Sequence, residues 1–552
     1  MPAAPLPSLD RIKDRYGPGR AAAKRRLLER LRRTRLKTAA QVLALHEAAC
    51  FLRAYPDNAA VRTQAARLLR GFSRRADLRA HRAALQNSGI AGTSIRYALF
   101  WPMLRWVATR WPRQLRLDRD DRVAAGRIEA VLALLLTSVE SEWLRERRPA
   151  GFAALDRLRP KTAGDAAFLT HLIDALPGDG RTREAFHDAI DPLYELQPGP
   201  GTPSRTLAHH AVAPAVHVRE GLRRARPDLR AEIARPPQRV RAVGLRESRA
   251  LVELARGAML TRERDLDAFA YGDPRDLRIV HEDGGLAFAV NGVLPERRAP
   301  IAALFGALTL QNGVPIGYIQ VDIAGRSAAI SFNTFPTFRG GEAGHVFARM
   351  LAMTHHVLGA GTFTIEPYQL GDHNDEAIDS GAWWFYRKLG FAPRDASTLR
   401  LARREEKRLA ARPGARSSAA TLRALAKSHL YFELDPGAPR PLPPLAGLGE
   451  RVSRTLAARG PDRAQAIEAC IETALEKTGQ RSLSGWRADE RLAWRRWAPL
   501  IVSLPGLARW SRAERRALVE VVRAKAAKSE LDYIRRFNAH PRLARTLLGQ
   551  MV

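Results

Sequence analysis

ISFNTFPTFRGGEAGHVFARML, residues 330–351, is the stretch whose reading decides the fold. The run from Ala329 to Thr334 reads as a strand. From Ala343 to Leu358 apolar residues recur every three to four positions, at Val346, Phe347, Met350, Leu351, Thr354, Val357 and Leu358. That spacing predicts a helix packed on a sheet, and Gly359 is a natural cap for its end. Between strand and helix lies a glycine-rich turn. A helix N-terminus carries unsatisfied N–H groups and about half a positive charge, so it attracts phosphates. Glycines let the backbone approach such an anion closely, and Arg339 adds a charge-assisted contact. Glu342, however, puts a carboxylate in the middle of the turn. A plain strand–turn–helix connection is the other reading of the same residues.

Working outward, the segments before the turn are short and strand-like: LRIVHE, LAFAV, FGALTLQ, PIGYIQVDIAG and AAISFNTF. Asn312-Gly313 stands between two of them, the strongest short hairpin signal. In PIGYIQVDIAG, Ile319, Val321 and Ile323 fall on one face by alternation. After the turn come the helix, a strand TFTIEPY (362–368) and a helix GAWWFYRKL (381–389), on which Ala382, Phe385, Tyr386 and Leu389 share a face. Gly390 sits where a left-handed cap residue belongs, with Phe391 closing its hydrophobic contact. Residues 398–428 read as charged helix, and HLYFEL (429–434) as a last strand.

This order resembles the GNAT acetyltransferase superfamily over residues 277–395, extending toward 434. Pro336, Phe338, Arg339, Gly340 and Gly344 match that family's P-x-[YF]-R-G-x-G-x-G loop, and FYRKLGF matches its YxKLGF-like ending. The resemblance implies a mixed sheet that binds acetyl-CoA or another acyl-CoA as co-substrate and transfers the acyl group to an amine. By position, the coenzyme's pyrophosphate falls to the turn: Phe338, Arg339, Gly340, Gly341, Ala343 and Gly344. Asn374 takes the place of an asparagine the family often has, and Tyr386 that of the tyrosine that protonates the leaving thiolate. A phenol with a pKa of about 10 is a usable general acid. An ammonium acceptor also needs a general base, and Glu366 and Asp322 are the carboxylates on neighbouring strands. His345, just inside the helix, either touches a cofactor or caps. The chain departs from the family in two places. Glu342 replaces the second glycine, where an inward carboxylate would repel pyrophosphate, and QLGDHNDEAIDS is longer than usual.

The flanks read differently. Residues 20–190 form successive helices, with Asp57 or Asn58 as an N-cap. RIEAVLALLLTSVESEWLRER is apolar enough to be a central helix of this region, and YALFWPMLRWVA (97–108) reads as a buried aromatic helix interrupted by Pro102. QPGPGTPSRT (197–206) and ARPPQR (234–239) are breaks, DPGAPRPLPPLAGLG (435–449) is a proline-rich linker, and the remainder is helical with four tryptophans. The fold class expected is α+β. A GNAT-like sheet domain at 241–435 lies between all-α regions at 1–240 and 436–552.

The formal charge is +34, with 91 basic residues, of which ten are lysine. Such a charge favours nucleic acid, anionic membrane or acidic partners, or reflects a compositional preference for arginine. No aromatic-plus-basic motif marks a nucleic-acid site. Two distant cysteines, Cys50 and Cys470, exclude a disulfide framework, and no residue cluster predicts a metal. The N-terminal residues contain no apolar signal core, and no apolar run reaches membrane-spanning length, so a cytoplasmic protein is expected. Three functions compete: an acyl-CoA-dependent N-acyltransferase, a GNAT-like module that has lost catalysis, and a basic nucleic-acid-associated protein.

Overall fold

The computed structural model describes residues 4–149, 151–211, 216–434 and 446–548. The proline-rich stretch at 435–445 lies outside the described residues. Contacts divide the chain into two compact units. One comprises Met1–Leu222, Arg249–Tyr271 and Gln311–Pro315; the other comprises Arg223–Ser248, Gly272–Leu310 and Ile316–Val552. This division departs from the three consecutive segments that composition suggests.

In the first unit the central helix is Ala39–Ala54, capped by Thr38 and with ten of its residues buried. Helix Ala59–Arg70 packs beside it and Arg20–Arg33 packs on Ala59–Arg70; Ala59–Arg70 is capped by Asn58, whose Oδ1 accepts the Val61 N–H at 2.9 Å. The region is not all-α. Ile95–Tyr97, Leu115–Leu117 and Tyr194–Leu196 form a three-stranded antiparallel sheet. Each strand has only three residues, too few for alternation to be legible, although Leu115, Leu117, Tyr194 and Leu196 do turn inward. Pro102 does not interrupt its helix. It sits in the first turn of Trp101–Arg110, where its missing N–H would be unbonded anyway. The stretch 127–147 is not one central helix either. It breaks into Arg122–Leu132 and Ser138–Arg147, and the second helix buries no residue. The break follows from Thr137 and Glu140, which form a capping box that starts a new helix.

The second unit is built on a nine-stranded sheet. Its strands are β1 (Arg239–Ala242), β2 (Gly272–His281), β3 (Leu286–Val293), β4 (Ala303–Gln311), β5 (Val314–Ala324), β6 (Ser327–Thr334), β7 (Thr362–Ile365), β8 (Ala392–Pro393) and β9 (Leu430–Glu433). The spatial order is β8-β9-β7-β6-β5-β4-β3-β2-β1. Alternation read β5 correctly: Ile319, Val321 and Ile323 are all buried, while Gln320 and Asp322 are half-buried. Asn312 and Gly313 both take positive φ, 49° and 79°, as a type I′ hairpin turn requires. Gly317 allows β5 and β6 to approach closely, since a Cβ there would stand 2.4 Å from the Asn333 carbonyl oxygen. Strand β1 was not foreseen. Its sequence, RVRA, is polar and mostly exposed, and it pairs at the sheet's edge with β2.

The helices of this unit that frame the cleft are α1 (Leu229–Ala234), α2 (Ala343–Leu358), α3 (Asp375–Ser380) and α4 (Ala382–Lys388). The stretch TFTIEPY ends as a strand at Ile365, because Pro367 opens a short helix, Pro367–Leu370. Helix α2 is anchored by Arg349, which is fully buried. Its Nε donates to Glu282 Oε2 at 2.8 Å, and its Nη atoms donate to the carbonyls of Glu232, Arg235 and Pro236. The C-terminal helices from Ala446 to Leu548 belong to this same unit rather than standing apart. They grip the connection between β3 and β4: Trp497 Nε1 donates to Pro300 O, Tyr533 Oη to Ile301 O, and Arg298 to the carbonyls of Lys525 and Ala527. Among the described residues no helix is long and apolar enough to cross a membrane.

Candidate functional site

Strands β6 and β7 run parallel for three residue pairs only: Ser327 with Thr362, Ala328 with Phe363, and Ala329 with Thr364. On its other side β6 stays paired with β5 as far as Thr334. One edge of Ile330–Thr334 is therefore left without a strand partner, and the sheet splays open there. A cleft of about 240 Å³ lies against this edge. Phe332, Asn333 and Thr334 of β6 form one wall, Arg339 and Ala343 the end, and residues of α3 and α4 the far side.

Tyr386 lines the cleft from α4. Its ring is held by Phe347 and Phe391, with centroids at 5.4 and 5.9 Å. Its hydroxyl makes no hydrogen bond among the described residues, although the side chain is only 3% exposed. Burial, and secondarily Tyr318, pushes the phenol well above its ordinary pKa. It is thus a protonated donor that makes no hydrogen bond among the described residues, in the lining of the cleft. Asn333 carries a second unsatisfied group, a buried Oδ1 with no hydrogen-bond partner.

The turn 336–342 is more occupied than its glycines suggest. Phe338 is buried in the 3₁₀ turn Pro336–Phe338. The Arg339 N–H donates to Pro336 O and the Gly341 N–H to Phe338 O. The Arg339 guanidinium donates to Thr334 O at 3.0 Å and pairs with Glu376. Gly340 is exposed, with open space where a Cβ would be. Gly344 faces Pro227, whose Cδ would stand 3.4 Å from a Cβ.

Glu342 does not face solvent. It is 3% exposed, and its Oε1 accepts the backbone N–H of Arg223 at 2.9 Å. The Arg223 guanidinium in turn lies 3.0 Å from His345 Nε2. Burial, and then the Arg223 charge, lower the His345 pKa to about 4, so the ring is neutral and accepts the guanidinium N–H. The segment from Arg223 to Pro227 therefore covers the N-terminus of α2. A buried carboxylate at this end is favoured by the helix dipole, and it is the group a phosphate would have to accommodate or displace.

The remaining residues singled out from the sequence fall in different places. Asn374 lines the cleft, but its side chain is used as the N-cap of α3: Oδ1 accepts the Ala377 N–H at 3.2 Å and Nδ2 donates to Tyr368 O. Glu366 is exposed at the start of the short helix Pro367–Leu370 and does not line the cleft. Asp322 lies on β5, where it accepts a hydrogen bond from Gln320. The structure thus brings together Arg339, Ala343, Asn374 and Tyr386 and leaves Glu366 and Asp322 outside. Glu376 is the carboxylate that does line the cleft. It lies inside the stretch whose length made the register ambiguous. Arg223 had no legible signal at all, being 119 residues from the carboxylate it meets. No group of three or more potential metal ligands occurs among the described residues.

Comparison of the chain with protein-family models, with curated proteins and with solved structures finds no match to any of them.

Proposed function

We propose that the second unit is a cytoplasmic acyl-CoA-dependent N-acyltransferase of GNAT type, acting on an amine acceptor. The observation that carries this reading is the splay of β6 from β7, with Tyr386, whose hydroxyl makes no hydrogen bond among the described residues, in the wall of the resulting cleft. In such a site the thioester lies along the open edge of β6. The acceptor amine attacks the thioester carbonyl and gives up a proton to a base, for which Glu376 is the carboxylate in the cleft; the C–S bond breaks, the phenol protonates the leaving thiolate, and the phenolate is reprotonated from solvent. Tyr386 suits that step, because burial keeps its proton on until a base appears beside it. Glu376 lines the cleft, and its pairing with Arg339 also anchors the turn.

A second reading rests on one specific observation. The carboxylate of Glu342 and the Arg223 segment already occupy the N-terminus of α2, which favours a GNAT-like module that no longer takes the coenzyme. Titration of the full chain with coenzyme A and acetyl-CoA by calorimetry and thermal shift separates the two. On the enzymatic reading, ligand at a hundred times its Kd raises stability by about 2.7 kcal/mol, and thiol release follows when a panel of amines is added. Absence of any shift at millimolar acetyl-CoA sinks it in favour of the second.

A further inference from the structure

The first unit carries a charge concentration that the cleft does not explain. Residues 15–82 contain 18 of the chain's 91 basic residues but only four of its 57 acidic ones, Glu29, Glu47, Asp57 and Asp77. A uniform preference for arginine would not deplete acids in the same stretch. All four acids are engaged: Asp57 with Lys24, Asp77 with Arg75, Glu47 with Arg205, and Glu29 with Arg32 and Arg33.

The basic side chains are sorted by helix geometry. On Arg20–Arg33, Lys24, Leu28 and Leu31 are buried. At 100° per residue, Arg26, Arg30 and Arg33 fall on the opposite side and Arg25 and Arg32 on its flanks, and all five are exposed. On the adjoining helix Ala59–Arg70, Val61, Ala65, Leu68 and Leu69 are buried, while Arg67 and Arg70 point away from them and are exposed. Arg25, Arg26, Arg30, Arg67 and Arg70 make no ion pair among the described residues. These exposed guanidiniums on two packed helices make a positively charged surface that a dense polyanion complements.

We propose that this face binds the phosphate backbone of double-stranded DNA, without sequence preference. The chemistry on the face narrows the partner. No large apolar side chain between residues 15 and 82 is exposed, so nothing is available to insert into a lipid interface. The aromatic residues there, Tyr16, Phe51, Tyr55 and Phe72, are buried or half-buried, so there is no platform on which single-stranded bases could stack. Sixteen of the 18 basic residues in the stretch are arginine, which matches phosphate oxygens bidentately. A helix with arginine round its outer side fits the wide major groove of B-form DNA, whereas the deep, narrow major groove of an RNA duplex excludes it.

The test uses the full chain and fluorescently labelled duplexes of two unrelated sequences, with anisotropy read between about 50 and 200 mM salt. Equal affinity for both sequences is expected, falling steeply with salt. The R25A/R26A/R30A/R67A/R70A variant should lose at least tenfold in affinity at the lower salt, with its log–log salt slope reduced by about 4. The corresponding Arg→Lys variant should keep most of the slope. A thermal melt equal to wild type shows that the variants fold, since all five side chains are exposed. Three results would each overturn the proposal: an unchanged slope in the alanine variant, equal or tighter binding to single-stranded DNA or an RNA duplex, or stronger binding to phosphatidylserine vesicles than to the duplex.

Discussion

The Glu342 carboxylate accepts the backbone N–H of Arg223 at 2.9 Å, and through it a segment 119 residues upstream is fixed over the first turn of α2. Replacement by glutamine keeps an oxygen to accept that N–H and removes the charge. E342Q should therefore retain the fold, with a change in stability below about 1 kcal/mol. If a pyrophosphate binds at this helix end, E342Q should bind coenzyme A roughly tenfold more tightly, because a buried like charge near the anion is gone. Calorimetry on the two proteins is the check. Equal affinities would mean that the phosphates sit elsewhere.

Tyr386 offers a partition between chemistry and packing. Its hydroxyl makes no hydrogen bond among the described residues, so Tyr386→Phe should leave stability within about 0.5 kcal/mol of wild type. As the general acid, its loss should lower kcat about a hundredfold with KM little changed. Because its pKa is raised, Tyr386 stays protonated at neutral pH, and the wild-type rate should show no limb from its ionisation between about pH 6 and 9. Steady-state kinetics over that range decide the matter.

His345 predicts an acid-side weakness. Its folded pKa is about 4, lowered by burial and then by Arg223, against about 6.5 in an unfolded chain. Between those values the unfolded state binds the extra proton. The stability held by neutral His345 is therefore complete above about pH 6.5 and is lost as pH falls toward 4. His46, His187, His209, His281 and His540 are shifted the same way, so wild type sums several such losses. H345Q, whose amide oxygen can still accept the Arg223 N–H, should flatten the urea-stability curve between pH 4 and 6.5 by roughly 1–3 kcal/mol. An identical pH profile would refute the assignment.

Arg349 and Glu282 are both fully buried as an ion pair. Removing one partner strands the other's charge, so Arg349→Met should cost about 3–5 kcal/mol. The double variant with Glu282→Gln should recover part of that loss. Urea unfolding of the two single variants and the double measures the coupling, and simple additivity would argue against the pair.

Some of this protein was legible locally. Asn312-Gly313 can adopt two consecutive left-handed conformations cheaply, so the hairpin was written in two residues. The α2 boundaries, Ala343 and Leu358, follow from a 3.6-residue apolar period and a glycine at φ 82°. The cradle itself was only half legible. Gly340 and Gly341 identified a close turn, and the resemblance in FYRKLGF drew attention to Tyr386, which does line the cleft. Asp322 lies on a strand, where a residue reaches a cleft only if its side of the pleat and its register allow it, and Glu366 lies past the end of its strand, because Pro367 starts a helix there. Strand β1 was invisible because an edge strand need not be apolar.

The sequence by itself determined the local elements: where the strands alternate, where the helices cap, and where arginine accumulates without acids. Each depends on residues within a few positions of one another. What surrounds the N-terminus of α2 was decided by the tertiary structure alone. Glu342 could have faced solvent or the turn, and only the folded chain brings Arg223 to its carboxylate and Pro227 to Gly344. Such pairings between distant residues leave no periodicity to read, because the chain between them closes a loop whose entropy depends on length and not on the residues it joins.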